Sequence, residues 1–203
     1  MRRTGFFPLV IGVFLIACQP AAGEPAAAVT VVSLASSTPE PTFPPTETAA
    51  ARTPIGERKH VGGFFSFITP LNYHADLEEK AVFISDVGQE VFLSLAVIGA
   101  DEDERTAQSL LEDIFAIFEG VEVQADTKTK VSGMTGTRAD FSGVLSGSVI
   151  SGNYVVIDLG EEVSFLAFGF GYVTAEYDRW EEYGLMNFAE LLASVEIPFG
   201  APF

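Results

Sequence analysis

Three kinds of residue in this chain could do chemistry: one thiol, two imidazoles and a run of carboxylates. Cys18 is the single cysteine. A lone thiol can carry an acyl group or act as a nucleophile, but it makes no intramolecular disulfide and no cysteine metal site. His60 stands where a proline-rich stretch ends, which leaves His74 as the candidate base. Triads are assembled in space, so His74 with an unidentified serine defines a hydrolase alternative. No nucleophile elbow accompanies it: in Gly143-Val144-Leu145-Ser146-Gly147 the serine stands one position late. Gly169-Phe170-Gly171 opens like a dinucleotide loop, yet Thr174 takes the place of the third small residue and the segment reads as a strand. With neither a phosphate loop nor a zinc helix in the chain, no cofactor is expected.

Asp101, Glu102, Asp103 and Glu104 are weak metal candidates. Calcium takes about six to eight hard oxygens, which binding loops supply at alternating positions. Consecutive side chains diverge, so the run reads as a solvated loop ahead of a helix, where negative charge suits the helix dipole. No specific metal site is expected there. Tyr172, Tyr177, Trp180 and Tyr183 form the remaining cluster. They line either a ligand pocket or the core and rim where a helix meets a sheet.

These residues sit on three unlike segments. Arg2 and Arg3 precede an apolar run of 12 residues from Gly5 to Ile16, interrupted by Pro8 and closed by the small Ala17. Those are the three parts of an export signal, and the run is short of the ~20 apolar residues that span a bilayer. Leu15-Ile16-Ala17-Cys18 resembles the lipobox of bacterial lipoproteins. The resemblance implies cleavage after Ala17, a diacylglyceryl group on the Cys18 thiol, and an extracytoplasmic protein anchored to a bacterial cell membrane. Residues 1–17 are therefore expected to be a signal peptide, and residues 18–60 a lipidated cysteine followed by a disordered tether. Gln19 to His60 is rich in Pro, Thr and Ala without a hydrophobic period, so it favours extended conformations and buries little. It serves either as a spacer through an envelope layer or as a plain linker.

Charge narrows the choice of partners. The chain carries 28 acidic and 11 basic residues, a net charge of −17. Nucleic-acid binding rests on Lys and Arg neutralising phosphates, and anionic head groups repel such a surface, so neither partner is expected. A basic protein partner suits this field; acidity as a plain solubility device suits it equally. Disorder is not implied, because 48% hydrophobic residues and 18 Phe can fill a core.

One globular domain is expected over 61–203. Residues 62–69 read as a strand ended by Pro70, Tyr73 to Asp76 as a short strand, and Lys80 to Ser85 and Glu90 to Gly99 as strands joined by a turn at Asp86. Ala107, Leu110, Leu111, Ile114, Phe115 and Phe118 recur at helical spacing behind a Thr106 cap, with Gly120 as the left-handed stop. Four strands follow, over 121–131, 136–145, 148–159 and 161–173, the last apolar on both sides and hence central. A second helix spans 175–193 with a break at Gly184, and Ser194 to Ile197 closes the domain as a short strand.

The opening Phe65-Ser66-Phe67-Ile68-Thr69-Pro70, the order of elements and the closing Leu191-Leu192-Ala193-Ser194-Val195-Glu196-Ile197 are together similar to the PsbP-like superfamily. That resemblance covers about residues 62–198. It implies an α+β fold, an α/β/α sandwich with a mostly antiparallel central sheet, used for binding and assembly more than for catalysis.

Overall fold

The computed structural model describes residues 56–99, 106–160 and 162–198. Cys18, the segment before residue 56 and the Asp101 to Glu104 run lie outside the described residues. A two-stranded hairpin, β1 (Arg58–Val61) and β2 (Phe65–Ile68), comes first. β3 (Tyr73–Leu77), β4 (Ala81–Asp86) and β5 (Val91–Ile98) lead to helix α1 (Ala107–Phe115). β6 (Glu119–Val123), β7 (Thr127–Val131), β8 (Met134–Leu145), β9 (Ser148–Gly160) and β10 (Val163–Val173) follow. A π-helical turn (Trp180–Gly184) runs directly into α2 (Leu185–Ser194). The main sheet has eight strands in the order β3-β4-β5-β10-β9-β8-β6, with β7 also on β8. All its pairs are antiparallel. Helices on both faces make the expected α/β/α sandwich.

Alternation along the strands decides which face each side chain fills. Leu93, Leu95, Val155, Ile157, Phe165 and Ala167 face the π-helical turn and α2, where they pack with Trp180, Phe188 and Leu191. Phe141, Phe168 and Phe170 face α1, where Phe115 at its end and Phe118 in the turn beyond it lie over them. Phe141 and Phe168 stack at 4.8 Å, and Phe118 lies nearly parallel to Phe168 at 6.3 Å. β10 is buried along nearly its whole length, as its two apolar sides require of a central strand.

Several boundaries differ from the sequence expectation. The chain is a strand from Arg58 onward, inside the segment read as tether. Arg58 Nη1 donates to the Ser194 carbonyl (2.8 Å) and Nη2 pairs with Glu196 (3.0 Å), which ties the hairpin to the C-terminal end of α2. Residues 62–64 are the hairpin turn, not strand, since Gly62 adopts φ 52°. The expected strand 121–131 is two, β6 and β7, laid end to end along the long β8. Thr106 caps α1 with a reciprocal bond to Ser109, but the helix stops at Phe115. Bonds from Ile117 N–H to Ile114 O and from Phe118 N–H to Phe115 O tighten the last turn (3.1 Å each). Gly120, at φ 59°, instead marks the register shift in β6. The second helix begins at Trp180, because the chain before it turns back and bridges Val173 to Asp178. Gly184 does not break it: at φ −60° and ψ −48° the backbone stays helical.

Two glycines on β10 floor the seat of Trp180. A Cβ on Gly169 would lie 2.6 Å from Trp180 Cη2 and 2.8 Å from Leu93 Cδ2, and one on Gly171 would lie 2.8 Å from the Trp180 amide nitrogen. Overpacking of this kind costs about 1–3 kcal/mol, more where the neighbour is rigid. Gly169→Ala is expected to lower the stability in urea unfolding by at least ~2 kcal/mol. Gly63→Ala, with nothing within 4 Å, should leave it within ~0.5 kcal/mol. Equal midpoints for the two variants would contradict the packing described.

Candidate functional site

The π-helical turn is held by its own carboxylate cap. Asp178 Oδ1 accepts from the amides of Trp180 (2.9 Å) and Glu181 (3.1 Å), and both of its oxygens accept from Ser151 on β9 (2.9 and 3.0 Å). Leu185 N–H reaches Trp180 O, the wide i→i+5 spacing of a π-helix. The glycine floor, the cap and Gly184 then fix one indole orientation; a Cβ on Gly184 would meet Trp180 Cε3 at 2.6 Å.

That orientation starts a chain of polar contacts. Trp180 Nε1–H donates to Asn153 Oδ1 at 2.7 Å. Asn153 Nδ2 donates to Asp140 Oδ1, which also accepts from Arg138 Nη2 at 3.3 Å. Trp180 and Asn153 are each 2% exposed, so their bonds are made away from water. Asp140 and Arg138 are partly exposed and open into a cleft of about 300 Å³ between the end of β6 and the π-helical turn. Glu122 and Glu181 stand exposed at its mouth, and Leu185 forms part of the wall. Among the described residues nothing bonds Asp140 Oδ2.

A second cluster locks the same turn to the start of β5. Arg179 lies 3.6 Å from the Tyr177 ring centre, and its Nε and Nη1 pair with Glu90 and Glu182 at 2.8 Å each. The Tyr183 hydroxyl donates to Glu90 at 3.4 Å. Burial, with the Asp86 charge beside it, pushes the Tyr73 phenol well above its ordinary value, although Asn187 donates to its oxygen. Burial likewise raises Tyr183, helped by Asp86 and Glu90. These residues are bonded to one another and fasten the layers.

The candidates from the sequence fall apart in space. His74 is on β3, at the opposite end of the sheet from the cleft, with its side chain 74% exposed and Nε2 bonded to Asp76 at 2.9 Å. Ser85 is its cross-strand neighbour, yet among the described residues His74 bonds no hydroxyl. The hydrolase alternative gains no geometry. Tyr172 lies on the α1 face against Phe92, Trp180 is core, and Tyr177 and Tyr183 flank Arg179, so the four aromatics do not share a pocket. The Gly169-x-Gly171 pair serves tryptophan packing. Among the described residues no group of three or more His, Cys, Asp or Glu could hold a metal ion. Sequence reading missed Asn153 and Asp140; the available signal was a polar Asn directly before the apolar run Tyr154-Val155-Val156-Ile157.

The sequence matches no protein-family model and no curated protein. Among solved structures the chain is similar to the Saccharomyces cerevisiae Ran-binding protein Mog1p, at 8% identity over 70% of this chain and 96% of that one, TM-score 0.48. It is similar to the cyanobacterial PsbP of Synechocystis sp. PCC 6803 at 12% identity over 76% and 100%, TM-score 0.46. A Bacteroides thetaiotaomicron protein matches at 11% identity over 71% of this chain, TM-score 0.47, and the chain spans 49% of its length. At such identities the likeness concerns the arrangement of sheet and helices alone.

Asn153→Leu keeps the branching and the heavy-atom count and removes both bonds, leaving the buried indole N–H without an acceptor. A stranded buried donor costs about 1–3 kcal/mol. The variant is expected to unfold at lower urea concentration by that amount and to shift the tryptophan emission. A midpoint equal to wild type would show that the bond contributes nothing.

Proposed function

We propose that this chain is a lipid-anchored, extracytoplasmic binding module that engages a basic protein partner and performs no covalent chemistry. One observation carries the reading. The cleft beside Trp180 is bordered by Glu122, Glu181 and the Asp140–Arg138 pair, so carboxylates outnumber cations, while its buried polar atoms are already bonded to one another. Such a site suits holding a cationic group more than moving protons, because its interior groups are committed to fixed partners. The net charge of −17 works in the same direction by steering cations toward the protein. Leu15-Ile16-Ala17-Cys18 supports the anchor, since two acyl chains on one thiol-linked glyceride give stable attachment where a single chain does not.

Two measurements test the reading. Cys18→Ser is expected to move the protein from the membrane pellet to the soluble fraction or leave an unprocessed precursor; normal processing with full membrane retention would remove the anchor. For recognition, the full chain is mixed with a fluorescent octapeptide of alternating glycine and arginine, with its glutamate counterpart as control. Association with the cationic peptide should slow several-fold as ionic strength rises from about 0.01 M to about 0.15 M and the screening length falls from ~30 to ~8 Å. Absence of binding, or a rate indifferent to salt, would sink the electrostatic reading.

A further inference from the structure

We infer that the free edge of β3 is a self-association surface: β3 of one copy pairs antiparallel with β3 of a second copy, about a two-fold axis at Ala75.

The backbone sets the register. β3 ends the main sheet, with β4 on one side and no strand among the described residues on the other. Val87 N–H donates to Asn72 O and Glu78 N–H to Ala81 O, both in step with the β3–β4 pairing. Bonded pairs alternate along an antiparallel ladder, so the even-numbered residues of β3 turn their amides and carbonyls to β4 and the odd-numbered ones turn theirs outward. Tyr73 N–H is spent on Pro70 O. The edge therefore offers the Ala75 and Leu77 amides with the Tyr73 and Ala75 carbonyls. Pairing centred on Ala75 uses all of them: Ala75 exchanges both bonds with the partner's Ala75, and Tyr73 O accepts from the partner's Leu77, with the reciprocal bond across the axis.

The side chains fit the same register. It sets His74 opposite the partner's Asp76, and Asp76 opposite the partner's His74, at the non-bonded positions where side chains approach most closely. Both are 74% exposed within one copy and lie 2.9 Å apart, so a strand carrying this pair is complementary to itself. On the other face the exposed Leu77 meets the partner's Tyr73, and the small Ala75 lets the strands close at the axis. Glu78 falls opposite the partner's Asn72, so no two carboxylates stand directly across from each other. Edge strands that stay alone commonly carry lysine, proline or a bulge. The opposite edge has such guards: β7 exposes Lys128 and Lys130, and β6 has a register shift. β3 has none of the three. With so short a strand the contact is far below a standard interface of ~1,600 Å², so association is weak and concentration-dependent.

The full chain carrying Cys18→Ser, which removes its one thiol, is followed by sedimentation velocity from about 10 μM to about 500 μM. Salt is held at about 0.15 M, where a screening length of ~8 Å limits repulsion between two copies of net charge −17. This background should pass from monomer to dimer. Ala75→Pro deletes the outward amide without touching the β4 ladder, so it should keep the urea midpoint and weaken association about tenfold or more. His74→Asp and His74→Lys/Asp76→Lys each set like charges opposite one another and should stay monomeric alone; mixed in equal amounts, they should pair again. A monomer at every concentration, association unchanged by Ala75→Pro, or no recovery in the mixture would each overturn the assignment. All three leave the electrostatic reading of the single copy standing.

Discussion

The packing of one indole against two glycines organises much of this molecule. Trp180 sits where Gly169 and Gly171 leave β10 bare, and its N–H is satisfied by Asn153 on the neighbouring strand. Strand glycines ordinarily weaken a sheet, because they lose backbone entropy and bring no side chain to pack. Here a bicyclic ring fills the space that two side chains would have taken. Truncating such a ring to alanine costs about 3–5 kcal/mol, a large part of the net stability of an ordinary domain. The π-helical first turn of the second helix brings Gly184 against the indole, where a Cβ would lie 2.6 Å from Cε3.

The same contact joins stability to the cleft. From the indole, hydrogen bonds pass to Asn153 and Asp140, so the carboxylate that opens to solvent is positioned by the core. Asp140 is thereby held by donors on both β8 and β9. On the opposite face, α1 and the stacked Phe141 and Phe168 keep the sheet covered and leave β8 and β9 fixed under the cleft. The shape of the cleft is a by-product of how the two layers close on the central strands.

What the sequence disclosed follows from periodicity. Strands β4, β5, β8, β9 and β10 and helix α1 announce themselves by alternation or by the 3.6-residue repeat, and the double-sided apolarity of 163–173 places that strand in the centre. Elements held by long-range bonds were not legible. β1 pairs with β2 and is fastened by the bond from Arg58 to Ser194, 136 residues away, and no apolar alternation marks it. The separation of β6 from β7 depends on the length of β8, and the start of the second helix depends on the bridge from Val173 to Asp178. The candidate site was hidden for the same reason. Asp140, Asn153 and Trp180 come from three elements, and their relation appears only once β8, β9 and the π-helical turn are side by side. His74, prominent in the sequence because imidazoles are scarce, lies solvated on an edge strand.

Since Trp180 is the only tryptophan, its indole N–H gives one resolved proton signal, and hydrogen exchange at that proton tests the central contact directly. A donor buried at 2% exposure and bonded to Asn153 should exchange only through global unfolding, with the protection shown by the amides of β10. Exchange at the rate of an exposed indole, while the β10 amides remain protected, would mean that the ring is not seated in the glycine floor and that the cleft has no fixed wall.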